Sequence, residues 1–456
     1  MKPLWSAAEI AAATGGTASA EFEAKGVTFD SREVEPGDLF VAMPGTAHDG
    51  HQFVAGAYEK GAAAALVSQP VDWPHVLVAD TFAALQALGA AARERSSAKV
   101  LAVTGSVGKT STKEALFTAL DRVAPGQVHR SVKSYNNHTG VPLSLARMPP
   151  DCTYAVLEIG MNHAGEIAEL TALVRPHLAL ITAIAPAHVE MLGSLEAIAD
   201  AKAEIFDGIE PEGIAIIPND SEFRDRLVKA ARRKAGRIIT FGSGDADVHA
   251  VHAVAEGPGS LITAALLERE LTFTIAQRGE HWVSNALAVL AAVEAVGADV
   301  AIAGLALADM GGLKGRGERH LIALDGGTAL LIDESYNANP ASMAATLKSL
   351  GNEREVERRI AVLGTMRELG AHSDELHAGL APAVIDAKVD ALILIGAEME
   401  PLADAIGDKV PVDRAADVED ACAKLLAMLR PGDAVLVKAS NTIGLAALVD
   451  RVTRGR

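Results

Sequence analysis

The chain has 456 residues, with 41 Lys plus Arg against 59 Asp plus Glu and a formal net charge of −18. With 49% hydrophobic and 22% charged residues it is not a disordered chain, and at roughly 100–200 residues per domain it should form about three domains, each able to bury a core. An acidic chain without a Lys/Arg block is excluded as a general binder of nucleic acid or of an anionic membrane surface, so any phosphate site must be local.

In chain order, residues 1–97 hold short strand-like runs between turn signals. Val27–Asp30 and Leu39–Ala42 flank the Glu35-Pro36-Gly37-Asp38 turn, and an Ala-rich stretch follows. The polar run Arg93–Lys99 predicts the end of a helix and a linker. From Val100, β-branched runs alternate with amphipathic segments. Val100–Thr104, Tyr154–Ile159, Leu178–Ala183 and Gly213–Ile217 are predicted as buried parallel strands. Helices are predicted over Ser111–Leu120 and Leu195–Ile209. Lys314-Gly315-Arg316-Gly317 marks a second break. Beyond it, Ala329–Asp333, Ile360–Gly364, Ala391–Gly396 and Ala434–Val437 form a second alternating series. The fold class is therefore α/β with three domains, 1–97, 98–315 and 316–456, the last two being open, doubly wound sheets.

Thr104-Gly105-Ser106-Val107-Gly108-Lys109-Thr110-Ser111 follows a predicted strand and opens a predicted helix, the context a phosphate loop requires. Backbone N–H groups and the helix N-terminus would cradle phosphate oxygens, Lys109 would offset their charge, and Thr110 is placed to ligate Mg²⁺. Val103 stands where the usual pattern has its first glycine, and an ordinary Gly-rich turn is the plainer alternative.

Glu158 and His188 fall at the carboxyl edge of the predicted sheet, where open α/β folds bind ligands. A surface glutamate and a satisfied loop histidine are the competing readings. His188-Val189-Glu190 matches half of a zinc-deaminase signature, but no Pro-Cys-x-x-Cys follows. Lys202 completes the helical stripe of Leu195, Ile198, Ile205 and Ile209, which puts a lysine on a buried face with Ile198 and Phe206 as turn neighbours. Either its stem snorkels, or burial lowers its pKa and alters the amine's function. Asn285 suits a base or a buried helix position. Arg316 is a cation at the domain junction or half of a linker salt bridge. Asp333 suits a ribose hydroxyl or a helix N-terminus. Gly364–Gly370 reads as a further strand-to-helix loop at the same edge.

Cys152 and Cys422 lie far apart without metal-ligand spacing, which indicates a reducing compartment. The N-terminal residues do not read as a secretory signal, and no stretch approaches the roughly 18 apolar residues of a membrane helix. The expected setting is the cytoplasm.

With these residues assembled, the chain resembles the ATP-dependent Mur ligases of peptidoglycan synthesis over nearly its whole length. In the first region the resemblance rests on Asp30-Ser31-Arg32, Pro36–Ala42 and Asp49-Gly50-His51-Gln52-Phe53. In the second it rests on the phosphate loop, Asn136-Asn137-His138-Thr139-Gly140-Val141-Pro142, Leu157-Glu158-Ile159-Gly160 and Ala201–Phe206. In the third it rests on Asp333–Pro340 and Met366–Gly370. The most specific run is Ser335-Tyr336-Asn337-Ala338-Asn339-Pro340, which is similar to the family member that adds D-alanyl-D-alanine. The Asp-Asn-Pro-Arg run of the sibling that adds the third stem residue is absent.

The resemblance implies an enzyme that joins D-alanyl-D-alanine to UDP-N-acetylmuramoyl-tripeptide through an acyl phosphate, using ATP and two Mg²⁺ ions. It implies a cytoplasmic monomer with no nucleic-acid partner and no membrane insertion. Residues 1–97 would bind the UDP end through Ser31 and Arg32, 98–315 would be a P-loop ATPase domain with a parallel sheet, and 316–456 a Rossmann-like ligase domain. Gly105 to Ser111, Asn285, Arg316 and Asp333 are the implied ATP contacts. Thr110, Glu158, His188 and Lys202 are the implied Mg²⁺ ligands, the lysine as a carbamate. Lys109, Asn137, His188 and Lys202 are the implied catalytic residues, with Asn137 rather than Asn136 facing the reacting carboxylate. The alternatives are another amide ligase of the superfamily or a P-loop kinase; the first domain speaks against a folate enzyme. Two departures stand out. Lys438-Ala439-Ser440-Asn441 replaces a frequent Lys-Gly-Ser-Arg, and Thr139 stands where a bulkier apolar residue is common.

Overall fold

The computed structural model describes residues 3–45, 48–186, 189–257 and 259–454. Three main sheets follow one another along the chain. The first has five strands in the order Thr17–Ala18, His75–Leu77, Ala64–Val67, Asp38–Val41, Gly26–Thr28, parallel except for the first pairing. The helix Thr81–Arg95 leaves this unit, capped by Asp80, whose carboxylate accepts from the N–H groups of Phe82 and Ala83. It packs on the helix Gly140–Ala146 of the next unit. A Cβ at Gly89 would lie 3.0 Å from the Pro142 carbonyl oxygen, so glycine permits that close crossing. Arg93, 5% exposed, then donates to the carbonyls of Val174 and Arg175 at 2.8 Å each, stapling the linker helix to the second unit.

The second sheet has nine strands. Its parallel part is centred on Lys99–Thr104, which pairs with Tyr154–Glu158 on one side and Leu178–Ile181 on the other. Val100 to Val103 are all fully buried, because helices cover both faces and an unbroken apolar run suits such a strand. The parallel sheet expected here is present and is extended at one edge, where Val248–Glu256, Gly259–Ala265 and Glu270–Ile275 form an antiparallel meander that the sequence did not suggest. One face there meets solvent, Val251 and Val254 are exposed, and the apolar run that marks a doubly buried strand is missing.

The third sheet is ordered Glu318–Leu324, Gly327–Glu334, Asp433–Lys438, Arg358–Gly364, Ala391–Ile395, Val412–Ala415, with a leading antiparallel hairpin and parallel strands thereafter. The helix expected over Leu195–Ile209 is shorter. It runs Leu195–Ala203 and tightens into a 3₁₀ turn, Glu204–Phe206. Glu204 is drawn aside to accept from the N–H groups of Gly165 and Ala168, and Thr171 Oγ1 donates to the Ile205 carbonyl. Among the described residues no helix is long and apolar enough to cross a membrane.

Candidate active site

After Lys99–Thr104 the chain builds strands on one side of it, then returns to the other with Leu178–Ile181. That reversal opens a crevice at the carboxyl edge of the sheet, where ligands bind in folds of this kind. Gly105 and Thr182 face each other across it. A Cβ at Gly105, whose φ is +146°, would sit 2.0 Å from Thr182 Oγ1, so only glycine fits. Thr182 Oγ1 donates to the Val107 carbonyl at 2.5 Å, and Ser106 Oγ accepts from the Ala185 N–H at 3.0 Å. The loop is thus braced from the neighbouring strand before the helix Lys109–Val123 begins. Lys109 Nζ donates to the Gly105 carbonyl at 2.7 Å, and burial lowers its pKa.

A cavity of about 410 Å³ opens from this loop between the second and third units. Ser106 to Ser111 line one wall, with Asn136, Asn137 and Glu158 beside them. His281 and Asn285, one turn apart on the helix Glu280–Ala295, form another side. The third unit contributes Arg316, Glu334, Tyr336 and Lys438. The Arg316 guanidinium lies 4.2 Å from the Tyr336 ring centroid, and the Tyr336 and Ser134 hydroxyls hydrogen-bond across the cleft. Burial, reinforced by Lys438, pushes His281 down to about 4, which keeps this ring neutral near pH 7.

Glu158 is 1% exposed. Its Oε1 accepts from Asn136 Nδ2 at 2.7 Å, while Oε2 is buried with no hydrogen-bond partner among the described residues. Lys202 is equally buried, and its Nζ has no such partner either. Its pKa lies well below 10.5, first because of burial and then because of Lys109. Of the two sequence alternatives for Lys202, snorkelling is therefore corrected, since the ammonium position is sealed from water. Asn137 Oδ1 accepts from the N–H groups of Thr139 and Gly140, at 3.3 and 2.9 Å, and from Thr139 Oγ1 at 3.0 Å. The unusual Thr139 thus holds an asparagine that lines the cavity.

Not every expected residue converges here. His188 lies outside the described residues. Asp333 does not line the cavity. Its two oxygens accept from the N–H groups of Gly315 and Ser335, at 2.9 and 3.0 Å, and fix the interdomain junction; Glu334 faces the cavity instead. Ser31 and Arg32 belong to the first unit, where Arg32 is exposed and ion-paired with Asp30 at 2.6 Å. His281, Glu334 and Lys438 were missed as site residues. Lys438 directly follows the predicted strand Ala434–Val437 and ends the observed one at the carboxyl edge, so position alone carried a signal for it. Thr182 and Ser134 had none.

Comparison with known proteins accounts for the whole assembly. Residues 23–125 match the model of the Mur ligase family catalytic domain, 103–293 the Mur ligase middle domain, and 315–441 the Mur ligase glutamate ligase domain. The UDP-N-acetylmuramoyl-tripeptide–D-alanyl-D-alanine ligase of Rickettsia prowazekii is 33% identical, over 98% of this chain and 99% of its own. The crystal structure of MurF from Acinetobacter baumannii covers all of both chains at 31% identity with a TM-score of 0.86. That of the Thermotoga maritima MurF ligase in complex with ADP has a TM-score of 0.77 at 26% identity, over 94% of this chain and 97% of its own. The chain belongs to the Mur ligase family.

Proposed function

We propose that this chain is the ATP-dependent ligase that joins D-alanyl-D-alanine to UDP-N-acetylmuramoyl-tripeptide, yielding the pentapeptide, ADP and phosphate in peptidoglycan synthesis. The observation that carries the reading is one cavity in which a phosphate loop, Asn136 and Asn137, and the Ser335–Pro340 run of the third unit meet. Residues 1–97 would hold the UDP end through Ser31 and Arg32, 98–315 the ATP, and 316–456 the incoming amine.

A carboxylate does not condense with an amine until an oxygen has become a leaving group. Here the tripeptide carboxylate attacks the γ-phosphate of ATP, ADP departs, and the amine then displaces phosphate from the acyl phosphate. The first step brings two anions together. Lys109 at the helix N-terminus and Arg316 from the opposite wall offset that repulsion, and most of the remaining work is positioning. Neutral His281 and Asn285 line the adenosine side, where an uncharged donor–acceptor pair suits a base. The contact between Tyr336 and Ser134 bridges the cleft, where it would limit access of water to the activated acyl group.

The residues present also fit Mg²⁺. Glu158 Oε2 is buried with no hydrogen-bond partner among the described residues, and together with the Thr110 hydroxyl it gives an all-oxygen donor set of the kind that ion takes. When bound, Mg²⁺ would supply charge neutralisation of the phosphates; His188 is a further candidate ligand. Lys202 is proposed to be carbamylated. An unpaired buried ammonium next to Lys109 is costly, whereas a free amine can add CO₂ and become an anion compatible with the cations around it.

The test is phosphate release from ATP with UDP-N-acetylmuramoyl-tripeptide, with and without D-alanyl-D-alanine, followed by mass analysis. The expected product is heavier by one dipeptide residue. Absence of any dipeptide-dependent product, with either a lysine or a diaminopimelate tripeptide, refutes the assignment.

A further inference from the structure

Lys133 has φ of +53°, a left-handed backbone that a residue with a Cβ adopts only when its surroundings hold it there. Two separate parts of the molecule do so. From the phosphate-loop helix, the fully buried Lys113 donates from Nζ to the Lys133 carbonyl at 2.6 Å and to the Ser131 carbonyl at 3.0 Å. From the first unit, Glu33 forms an ion pair with the Lys133 ammonium. Glu33 also accepts from the Tyr135 hydroxyl at 3.1 and 3.3 Å. In sequence, Glu33 directly follows Ser31 and Arg32, and Tyr135 directly precedes Asn136 and Asn137.

We propose that Lys133 is a positioning residue for the ligation. With Glu33 on one side and Lys113 on the other, it sets the segment that presents Asn136 and Asn137 to the cavity. The geometry of the reacting groups then depends on the nucleotide-sugar unit being docked against the ATP unit. This rests on the reading that residues 1–97 bind the UDP end of the substrate. An exposed ion pair by itself contributes little to stability. This one differs because the same carboxylate also holds Tyr135, and because the lysine's backbone is fixed from its other side. Disturbing either partner therefore shifts the adjoining asparagines, while the Lys109–Gly105 contact of the phosphate loop and the Asp30–Arg32 ion pair keep their own direct partners.

The test compares Glu33→Gln, Lys133→Met, Lys133→Arg, Tyr135→Phe and the Glu33→Gln/Lys133→Met double variant, all in the full-length protein. Glu33→Gln and Lys133→Met should each lower kcat for dipeptide-dependent phosphate release by about 2- to 30-fold. The KM for ATP and the calorimetric Kd for UDP-N-acetylmuramoyl-tripeptide should stay within about twofold of wild type. The double variant should be no slower than the worse single one, and Lys133→Arg should retain wild-type kcat. Tyr135→Phe removes one hydroxyl and should show a smaller loss of the same kind. Unchanged kcat in both single variants, losses that multiply in the double, or a rise in KM or Kd in place of the fall in kcat overturns the proposal. If the wild-type protein does not bind the nucleotide-sugar, the functional reading falls first; normal binding with unaltered variants sinks only the positioning role.

Discussion

Asn136 donates from its side-chain amide to one oxygen of Glu158 at 2.7 Å, and the other oxygen of that buried carboxylate has no hydrogen-bond partner among the described residues. The arrangement orients Glu158 while reserving one lone-pair direction. Residues that orient a metal ligand are typically worth about 10–100-fold in affinity or activity when removed. Asn136→Ala should therefore raise the Mg²⁺ concentration for half-maximal ATP turnover by about 10-fold or more. An Mg²⁺ titration of the variant checks this. An unchanged midpoint would mean that Glu158 is not a ligand.

Lys202 leads to a second prediction. Lys202→Ala should lower activity by about 100-fold or more, and a short carboxylic acid or excess CO₂ should restore part of it. In the wild type, ¹³C-labelled bicarbonate should give a carbamate resonance that the variant lacks. Full activity in the untreated variant, or identical spectra, excludes the modification.

Much of this site was legible because its chemistry is local in sequence. The phosphate loop, Glu158 and Lys202 each occupy a position that strand ends or helical spacing single out, and the helix stripe put Lys202 on the buried face while leaving open whether its amine reached water. Other features depend on partners that no local pattern names. Thr182, just past the end of a neighbouring strand, braces the loop by donating its hydroxyl to the carbonyl of Thr104, 78 residues upstream. Asp333 sits where a ribose contact would be expected, yet two backbone N–H groups at the junction claim its oxygens. The antiparallel meander escaped notice because its strands are half exposed and lack the continuous apolar run that marked the others. The early end of the Lys202 helix depends on Glu204 capping a different helix.

Glu353 joins the second and third units. It pairs through both oxygens with Arg319 at 2.8 Å, and Arg278 reaches the same carboxylate at 3.6 Å. The glutamate side chain is 3% exposed, and Arg278 Nε is buried without a hydrogen-bond partner among the described residues. Removing a buried partner leaves uncompensated charge, at a cost of about 3–5 kcal/mol. Glu353→Gln should accordingly reduce the urea-unfolding free energy by about 3 kcal/mol. A change below about 0.5 kcal/mol, the range of an ordinary surface substitution, would show that the two arginines are neutralised in some other way.

His129 gives a pH prediction away from the reacting groups. Its Nε2 pairs with the Ser144 carbonyl at 2.7 Å, and its pKa falls to about 4, chiefly through burial; the Ser144 bond opposes this and Arg147 adds to it. For a base with a depressed native pKa, the unfolded chain binds the proton first. Between pH 6.5 and about 4 the unfolded state is protonated at this site and the native state is not. Stability should therefore fall as pH drops through that window and level off below it, by up to about 3 kcal/mol from this residue. His281 contributes in the same direction, so His129→Gln should make the slope shallower without abolishing it. Urea midpoints at several pH values between 4 and 8 measure the slope directly. A variant with the wild-type slope would show that His129 is already protonated in the folded protein.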